Sequence, residues 1–459
     1  MKALKILSMI GLLGGVSLSL ASCDYQAVID KIKDAFAGSS DTNNPNIDDE
    51  EKPSGTSTPA VPSQTPTPAV PSQTPTPTPP ITSDDAYHTD IKEDVVYDDF
   101  QIHFMMLGND KAGDSIYIKA GNTDVLIDAG SRQNSVETTI PYINQYNDDD
   151  TISYVIVSHC DSDHISGFTS SSSTKGIFDT YKIGTIIDNR YTTKATTVYE
   201  KYKEKRDWLV NNTGTKHYTA ADCYNYYDGA TRDFELSDNV TMSILYNEYY
   251  FNANNSDENN FSVCTMFTYD TGTEKHYFMF TGDLEKEGEE KMVAYYDGST
   301  EEKTLPEVDL FKAGHHGSKT SSNDCLLSII KPKMCVISCC CGTNEYTGVT
   351  DNQFPTQQFI SRISKYTDRV YITSICETYE IATAGSKANG TSDTTGVAVG
   401  GNYIKSSGFK AMNGNIVVSC SNSGVGLWAS NNLTKLKDSE WLNAKITIDG
   451  VERPMRIWG

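Results

Sequence analysis

From residue 99 onward, short runs rich in Ile, Val, Phe and Tyr alternate with polar, turn-rich stretches, the pattern of buried strands joined by loops. Strands are predicted at residues 99–107, 115–120, 124–127, 152–157, 242–246, 262–269, 275–280, 308–311, 333–339, 369–374 and 415–420. Helices are predicted at 285–296, at 321–330 behind a Ser-Ser-Asn capping signal, and at 359–366. This succession defines a mixed α/β domain. Residues 169–238 are polar and carry Tyr181, Tyr191, Tyr199, Tyr202, Tyr218, Tyr224, Tyr226 and Tyr227, read as a tyrosine-rich surface. Residues 377–402, rich in Gly, Ser and Thr, read as a mobile insertion, and 441–459 as an edge hairpin.

Polar residues just past three of these strands change the picture. After 152–157 comes Ser158-His159-Cys160-Asp161-Ser162-Asp163-His164; after 275–280, Thr281-Gly282-Asp283; after 308–311, Gly314-His315-His316-Gly317-Ser318. Alternating donors at His159, Asp161 and Asp163, with His164 adjacent, let a turning backbone aim several ligands at one or two divalent cations. Imidazole suits zinc, manganese or iron, and carboxylate favours harder ions. Two of the chain's eight histidines lie in the first segment, more than an ordinary Asp-rich turn explains.

The three motifs, in this order, resemble the metallo-β-lactamase fold, in particular the hydrolase domain of ComEC-type competence proteins, which carries HxDxDH, TGDLE and GHHGS. Gly113-Asp114-Ser115 and Leu126-Ile127-Asp128-Ala129-Gly130 are similar to the segments that open such domains. The resemblance covers about residues 100 to 420 and implies a four-layer αββα sandwich. It also implies two divalent metal ions, zinc or manganese, held by His159, Asp161, Asp163, His164, Asp283 and His315, with Asp283 bridging them. His316 is then the acid that protonates the leaving group, and Asp163 is essential to turnover. Asp128 is either a carboxylate supporting the metal loop or a turn aspartate without a metal role. Ser318 and Lys319 contact an anionic group, or serve as a cap and a surface lysine. His217 is the loop candidate for a further ligand, while His276 sits in a strand run. Glu285, Glu287, Glu289 and Glu290 read as the solvated, acidic first half of a helix. Many relatives place a Gly-His-Pro segment before the helix at 359–366; this chain has Asn352-Gln353-Phe354-Pro355-Thr356 and no histidine after His316.

The N-terminal region is a different material. Residues 1–23 have lysines at 2 and 5, an apolar stretch, and Leu20-Ala21-Ser22-Cys23, which resembles a lipoprotein signal with Cys23 as the lipidated residue. Residues 24–82 are acidic, then Pro/Thr-rich with a tandem Thr-Pro-Ala-Val-Pro-Ser-Gln-Thr-Pro repeat, a composition that favours polyproline II over a packed core. Extended, residues 58–80 span roughly 70 Å at about 3.1 Å per residue. The expected organisation is a signal peptide (1–23), a disordered linker (24–82) and a hydrolase domain (83–459) with a loosely matched extension from about 421. The expected location is the outer face of the cytoplasmic membrane, held by a lipid anchor only.

Net charge is −23, and removing residues 1–82, with 5 basic and 8 acidic residues, leaves −20. Proteins that neutralise many phosphates carry basic patches, so this balance argues against tight, non-specific nucleic-acid binding and leaves nucleic acid in a local cleft or a smaller phosphodiester as substrate. Outside Cys23 the ten cysteines show no repeated spacing; Cys339-Cys340-Cys341 read as buried small residues at a strand end. The favoured function is an exported metal-dependent phosphodiesterase or nuclease. The alternatives are a metallo-hydrolase of another ester, lactone or lactam, and a binding lipoprotein with a structural metal and no turnover. Protein partners and oligomeric state are not legible.

Overall fold

Alternation along Phe100–Phe104 sets the layer plan: all five residues are buried, so both faces of this strand are covered. In the computed structural model, which describes residues 91–343, 352–376, 378–382, 403–407, 409–448, 451–454 and 456–459, Phe100, Ile102 and Phe104 point into a core between two sheets. Phe100 meets Phe278 of the other sheet with ring centroids 5.3 Å apart, and Phe104 meets Phe280 at 6.1 Å. Gln101 and His103 point the other way, and His103 bonds Tyr142 of the helix Val136–Ile143.

One sheet has nine strands in the spatial order Ile91–Glu93, Gly424–Ala429, Ile416–Ser421, Phe100–Phe104, Ile116–Ala120, Thr123–Ile127, Thr151–Ile156, Lys182–Asp188 and Lys216–Thr219. The other has eight: Lys410–Ala411, Val370–Ile375, Met334–Cys341, Leu310–Lys312, Lys275–Phe280, Thr265–Asp270, Val240–Ile244 and Asp233–Glu235. Outside the first sheet, Tyr117, Leu126 and Val155 pack on Val136, Tyr202 and Leu209 from helices Val136–Ile143 and Thr197–Asn212. Outside the second, Met279, Phe311 and Ile337 pack on helices Lys286–Tyr295, Asp324–Ile330 and Gln357–Ile363 through Met292, Leu327 and Phe359. Three apolar layers therefore separate four layers of structure, helix, sheet, sheet, helix.

Within each sheet a run of strands is parallel: Thr123–Ile127 through Lys216–Thr219 in one, Lys275–Phe280 through Val370–Ile375 in the other. Their C-terminal ends carry the polar motifs.

The region 169–238 is more ordered than its polarity predicts. It holds the strand Lys182–Asp188 and the 16-residue helix Thr197–Asn212, and Tyr181 and Tyr202 are buried while Tyr226 and Tyr227 are exposed. The helix presents so few apolar positions that its stripe disappears among lysines and glutamates. The segment beyond 421 supplies Gly424–Ala429, an integral strand of the larger sheet. The hairpin near the C-terminus forms from Lys445–Ile448 and Val451–Pro454 but pairs with neither large sheet among the described residues. Cys23 and the linker lie outside the described residues, as do 377 and 383–402 of the expected insertion; Thr378–Ala382 pairs with Tyr403–Ser407. No helix among the described residues is long and apolar enough to cross a membrane.

Candidate metal centre

The strand Thr151–Ile156 ends in a loop that turns into the one-turn helix Ser162–Ile165, with Asp161 at its N-cap and Asp163 and His164 facing inward. Asp128, at the end of the neighbouring strand, adopts a left-handed φ of 59°. Its carboxylate accepts from Ser158 N (2.8 Å), Ser158 Oγ (2.6 Å) and His164 Nδ1 (2.7 Å), which orients the His164 ring. Ser158 Oγ also lies 3.0 Å from His159 Nδ1.

The other sheet brings Asp283 and the histidine pair. Gly282 has φ +55°, and a Cβ there would stand 2.8 Å from Ser262 Oγ and 2.9 Å from Ser158, so the turn that delivers Asp283 requires glycine. His315, His316 and Gly317 are all left-handed, at φ 45°, 51° and 82°. This strained run sends the two imidazoles apart. His316 is fully buried, and its Nδ1 donates to the Ser338 carbonyl at 2.9 Å, leaving Nε2 to point inward. The His315 side chain is 19 % exposed, and its Nδ1 lies 3.3 Å from Glu285 Oε1.

Around Asp283 Oδ2 stand His164 Nε2 at 3.2 Å, His316 Nε2 at 3.4 Å and His315 Nε2 at 3.9 Å. Asp163 Oδ2 is 3.4 Å from His316 Nε2 and 4.0 Å from His164 Nε2. Donors at bond lengths of about 2.0–2.1 Å on a tetrahedron are roughly 3.3 Å from one another, so the spacing fits a cation. The buried Nε2 atoms of His159 and His316 face carboxylate oxygens at 3.5 and 3.4 Å without a well-formed hydrogen bond, an arrangement that a cation between them would satisfy. Charge agrees. Burial alone would lower the pKa of both His164 and His316, yet Asp283 with Asp128 and Asp163 drives His164 well up, and Asp283 with Asp114 raises His316 to about 10. The field demands positive charge.

Lys312 and Asp114, which the sequence reading left without a role, complete the centre. Lys312 is buried at the end of Leu310–Lys312, its ammonium 2.5 Å from Asp114 Oδ2 and 3.4 Å from Asp283 Oδ1, and it donates to the Gly282 carbonyl. Asp114 groups with His164, Asp283 and His316 as donors within 4.8 Å of one another. Its oxygens, however, face the Nδ1 atoms of His164 (3.7 Å) and His316 (3.8 Å), behind the rings. We read Asp114 as a support for those rings.

The remaining expected residues fall as follows. Asp161 is at the rim, with Oδ2 3.5 Å from His159 Nε2 and Oδ1 bound by Lys194. Ser318 Oγ bonds Thr320 Oγ1 and caps its own turn. His217, expected on a loop as a further ligand, is in the strand Lys216–Thr219 and bonds Asp188 at 2.8 Å; Asp188 also takes Arg206 and Tyr202, so this imidazole belongs to a separate buried network. Glu285 and Glu289 are not solvated as the helix pattern predicted. Glu285 is held by His315, Thr320 and Asn259; Glu289 accepts from the N–H groups of Ser322 and Asn323 under Asp324–Ile330. In the segment 352–356, the Phe354 ring packs 5.5 Å from His315 and 6.0 Å from His316.

Residues 108–175, which contain the first motif and both loops that support it, match the model of the metallo-beta-lactamase superfamily. The four layers built around this segment have the metallo-β-lactamase fold. The cluster around Asp283 is the candidate metal site of this fold. Over 64 residues the chain is 36 % identical to Recombination protein 2 of Haemophilus influenzae, a match that covers 14 % of this chain and only 7 % of that protein. Among solved structures, the metallo-beta-lactamase fold protein YhfI from Bacillus subtilis aligns at 13 % identity over 61 % of this chain and 97 % of its own, with a TM-score of 0.33. The short form of human tRNase Z aligns at 9 % identity over 60 % and 92 %, with a TM-score of 0.30.

Proposed function

We propose that this chain is an exported metal-dependent phosphodiesterase, with nucleic acid as the first substrate to test. The observation that carries the metal half of this reading is the ring of imidazole Nε2 atoms around Asp283 Oδ2, with the buried Nε2 of His316 3.4 Å from both Asp283 and Asp163. His164, His316, Asp163 and Asp283 would hold one divalent cation, and His159 with Asp161 would serve a second. Cations bound there supply Lewis-acid charge and lower the pKa of water. The phosphodiester half rests on the order HxDxDH, TGDLE, GHHGS and on the match to Recombination protein 2.

The protein's own groups divide the remaining work. His164 and His316 are oriented through Nδ1 by Asp128 and by the Ser338 carbonyl, so each offers Nε2 to the centre. His316 is sealed from solvent, whereas His315 reaches it. The Glu285 carboxylate and Thr320 beside His315 also line an open cavity of about 540 Å³, shared with Asn255, Asp257 and Lys319. We therefore assign the leaving-group proton to His315, aligned by Glu285, and the ligand role to His316, the reverse of the motif-based expectation.

The test is turnover by the purified protein with manganese or zinc on bis-p-nitrophenyl phosphate, single- and double-stranded DNA, and a lactam. Metal-dependent cleavage of the phosphodiesters, lost in Asp163→Ala with the fold retained, is the expected result. Turnover of the lactam alone, or metal binding without turnover, would replace this reading by one of its rivals. The lipid anchor is checked separately: Cys23→Ser should move the protein from the membrane fraction to the soluble one.

A further inference from the structure

The cysteines of the strand Met334–Cys341 divide between two faces. Cys335, Cys339 and Cys341 pack with Ile337 in the outer apolar layer beneath the helices. Cys340 faces away from that layer, and its Sγ lies 3.4 Å from Sγ of Cys376, just past the end of the parallel neighbour Val370–Ile375. A register shift between Ile337 and Cys340 sets Cys340 opposite Ser374 and Cys341 opposite Ile375, and Cys376 N donates to the Cys341 carbonyl at 3.0 Å. The backbone thus fixes both thiols at the C-terminal ends of adjacent strands. A sulfur–sulfur bond of about 2.0 Å requires them to close by roughly 1.4 Å.

We infer that Cys340 and Cys376 are a dithiol built to close into an internal disulfide, the site at which this domain takes up two oxidising equivalents. The oxidant is a disulfide, either a small molecule or another protein's. One thiolate attacks it and forms a mixed disulfide, expelling one thiolate; the second cysteine attacks the protein sulfur of that mixed disulfide, forming the Cys340–Cys376 bond and expelling the other. Two thiols are oxidised, one disulfide is reduced to two thiols, and the two protons leave with the reduced product. No metal is required. The bond sits two residues from Ser338, whose carbonyl holds His316 Nδ1, so it ties down the strand end that supports the buried imidazole.

The experiment is thiol mapping of the full chain incubated with oxidised glutathione, then alkylated under denaturing conditions without reduction and digested. The expected result is the loss of two free thiols, one peptide pair joining Cys340 to Cys376, and a rise in thermal midpoint on the order of 5 °C from closing a loop of 36 residues. Cys340→Ser and Cys376→Ser, each treated identically, should lose both the crosslink and the rise. Retention of all thiols, a stable glutathione adduct at either cysteine, or a crosslink to Cys339, Cys341 or a second chain would overturn the inference. Because the readouts are covalent and thermal, they stand or fall independently of whether the centre hydrolyses anything.

Discussion

At the scale of single residues, the least expected member of the centre is Lys312. A lysine 1 % exposed exists only because carboxylates on two sides hold its charge, and here Asp114 and Asp283 do so. Removing one partner of such a pair leaves an uncompensated buried charge, so Lys312→Met should cost about 3–5 kcal/mol. Urea unfolding measures it, and pairing Lys312→Met with Asp114→Asn should recover much of the loss; a single variant as stable as the parent would contradict this account. The two adjacent histidines make a second contrast. His316→Ala should abolish metal retention, whereas Glu285→Gln should leave metal content unchanged and slow turnover by on the order of 10²-fold, the usual size of a misaligned proton donor. Metal analysis beside kcat separates the two. His159, Asp163, His164 and Asp283 were legible because each follows an apolar run. Lys312 was not, because it directly continues one, and its partners come from residues 114 and 283. The contrast between the buried His316 and the partly exposed His315 was equally hidden, since it depends on successive left-handed φ values that sequence does not announce.

At the scale of elements, burial on both faces made the strands readable and their polar members anomalous. Predicted and observed strand ends agree to within a few residues because a strand covered by helices on one side and a sheet on the other must be apolar throughout. The helix Thr197–Asn212 was not legible for the opposite reason, having one narrow contact stripe on an otherwise solvated helix. In Phe100–Phe104 the exception is His103, sealed between Tyr142 Oη and Gln101 Oε1 at 3.0 Å each. Burial, with Lys119 nearby, lowers its pKa from 6.5 to about 3. The folded state therefore refuses a proton that the unfolded chain accepts: the contribution is fully present above pH 6.5 and is lost as pH falls from 6.5 toward 3, at no more than about 1.4 kcal/mol per unit. Replacing His103 by Gln should remove about one proton from the acid-unfolding linkage over that window. Parallel pH profiles of stability for parent and variant would refute it.

At the scale of the whole molecule, the centre is a seam. The nine-stranded sheet supplies Asp128, His159, Asp163 and His164, and the eight-stranded sheet supplies Asp283 and His316. The contacts His164 to Asp283 and Asp163 to His316 span the two sheets at 3.2 and 3.4 Å. Away from the seam the sheets adhere through the apolar layer that Phe100, Phe278 and their neighbours form, which needs no ion. At the seam, buried carboxylates face one another, with the Lys312 ammonium and the raised proton affinity of His164 and His316 as their compensation. A cation that binds only when the two sheets are docked must stabilise the fold by mass action, about 2.7 kcal/mol at a free concentration one hundred times its Kd. The thermal midpoint should therefore climb with added manganese or zinc and fall when a chelator is present. In Asp163→Asn, which keeps the shape but removes a ligand charge, the same titration should be nearly flat. A midpoint indifferent to metal in the parent protein would mean that the two halves meet without an ion between them, and the hydrolytic reading would lose its foundation.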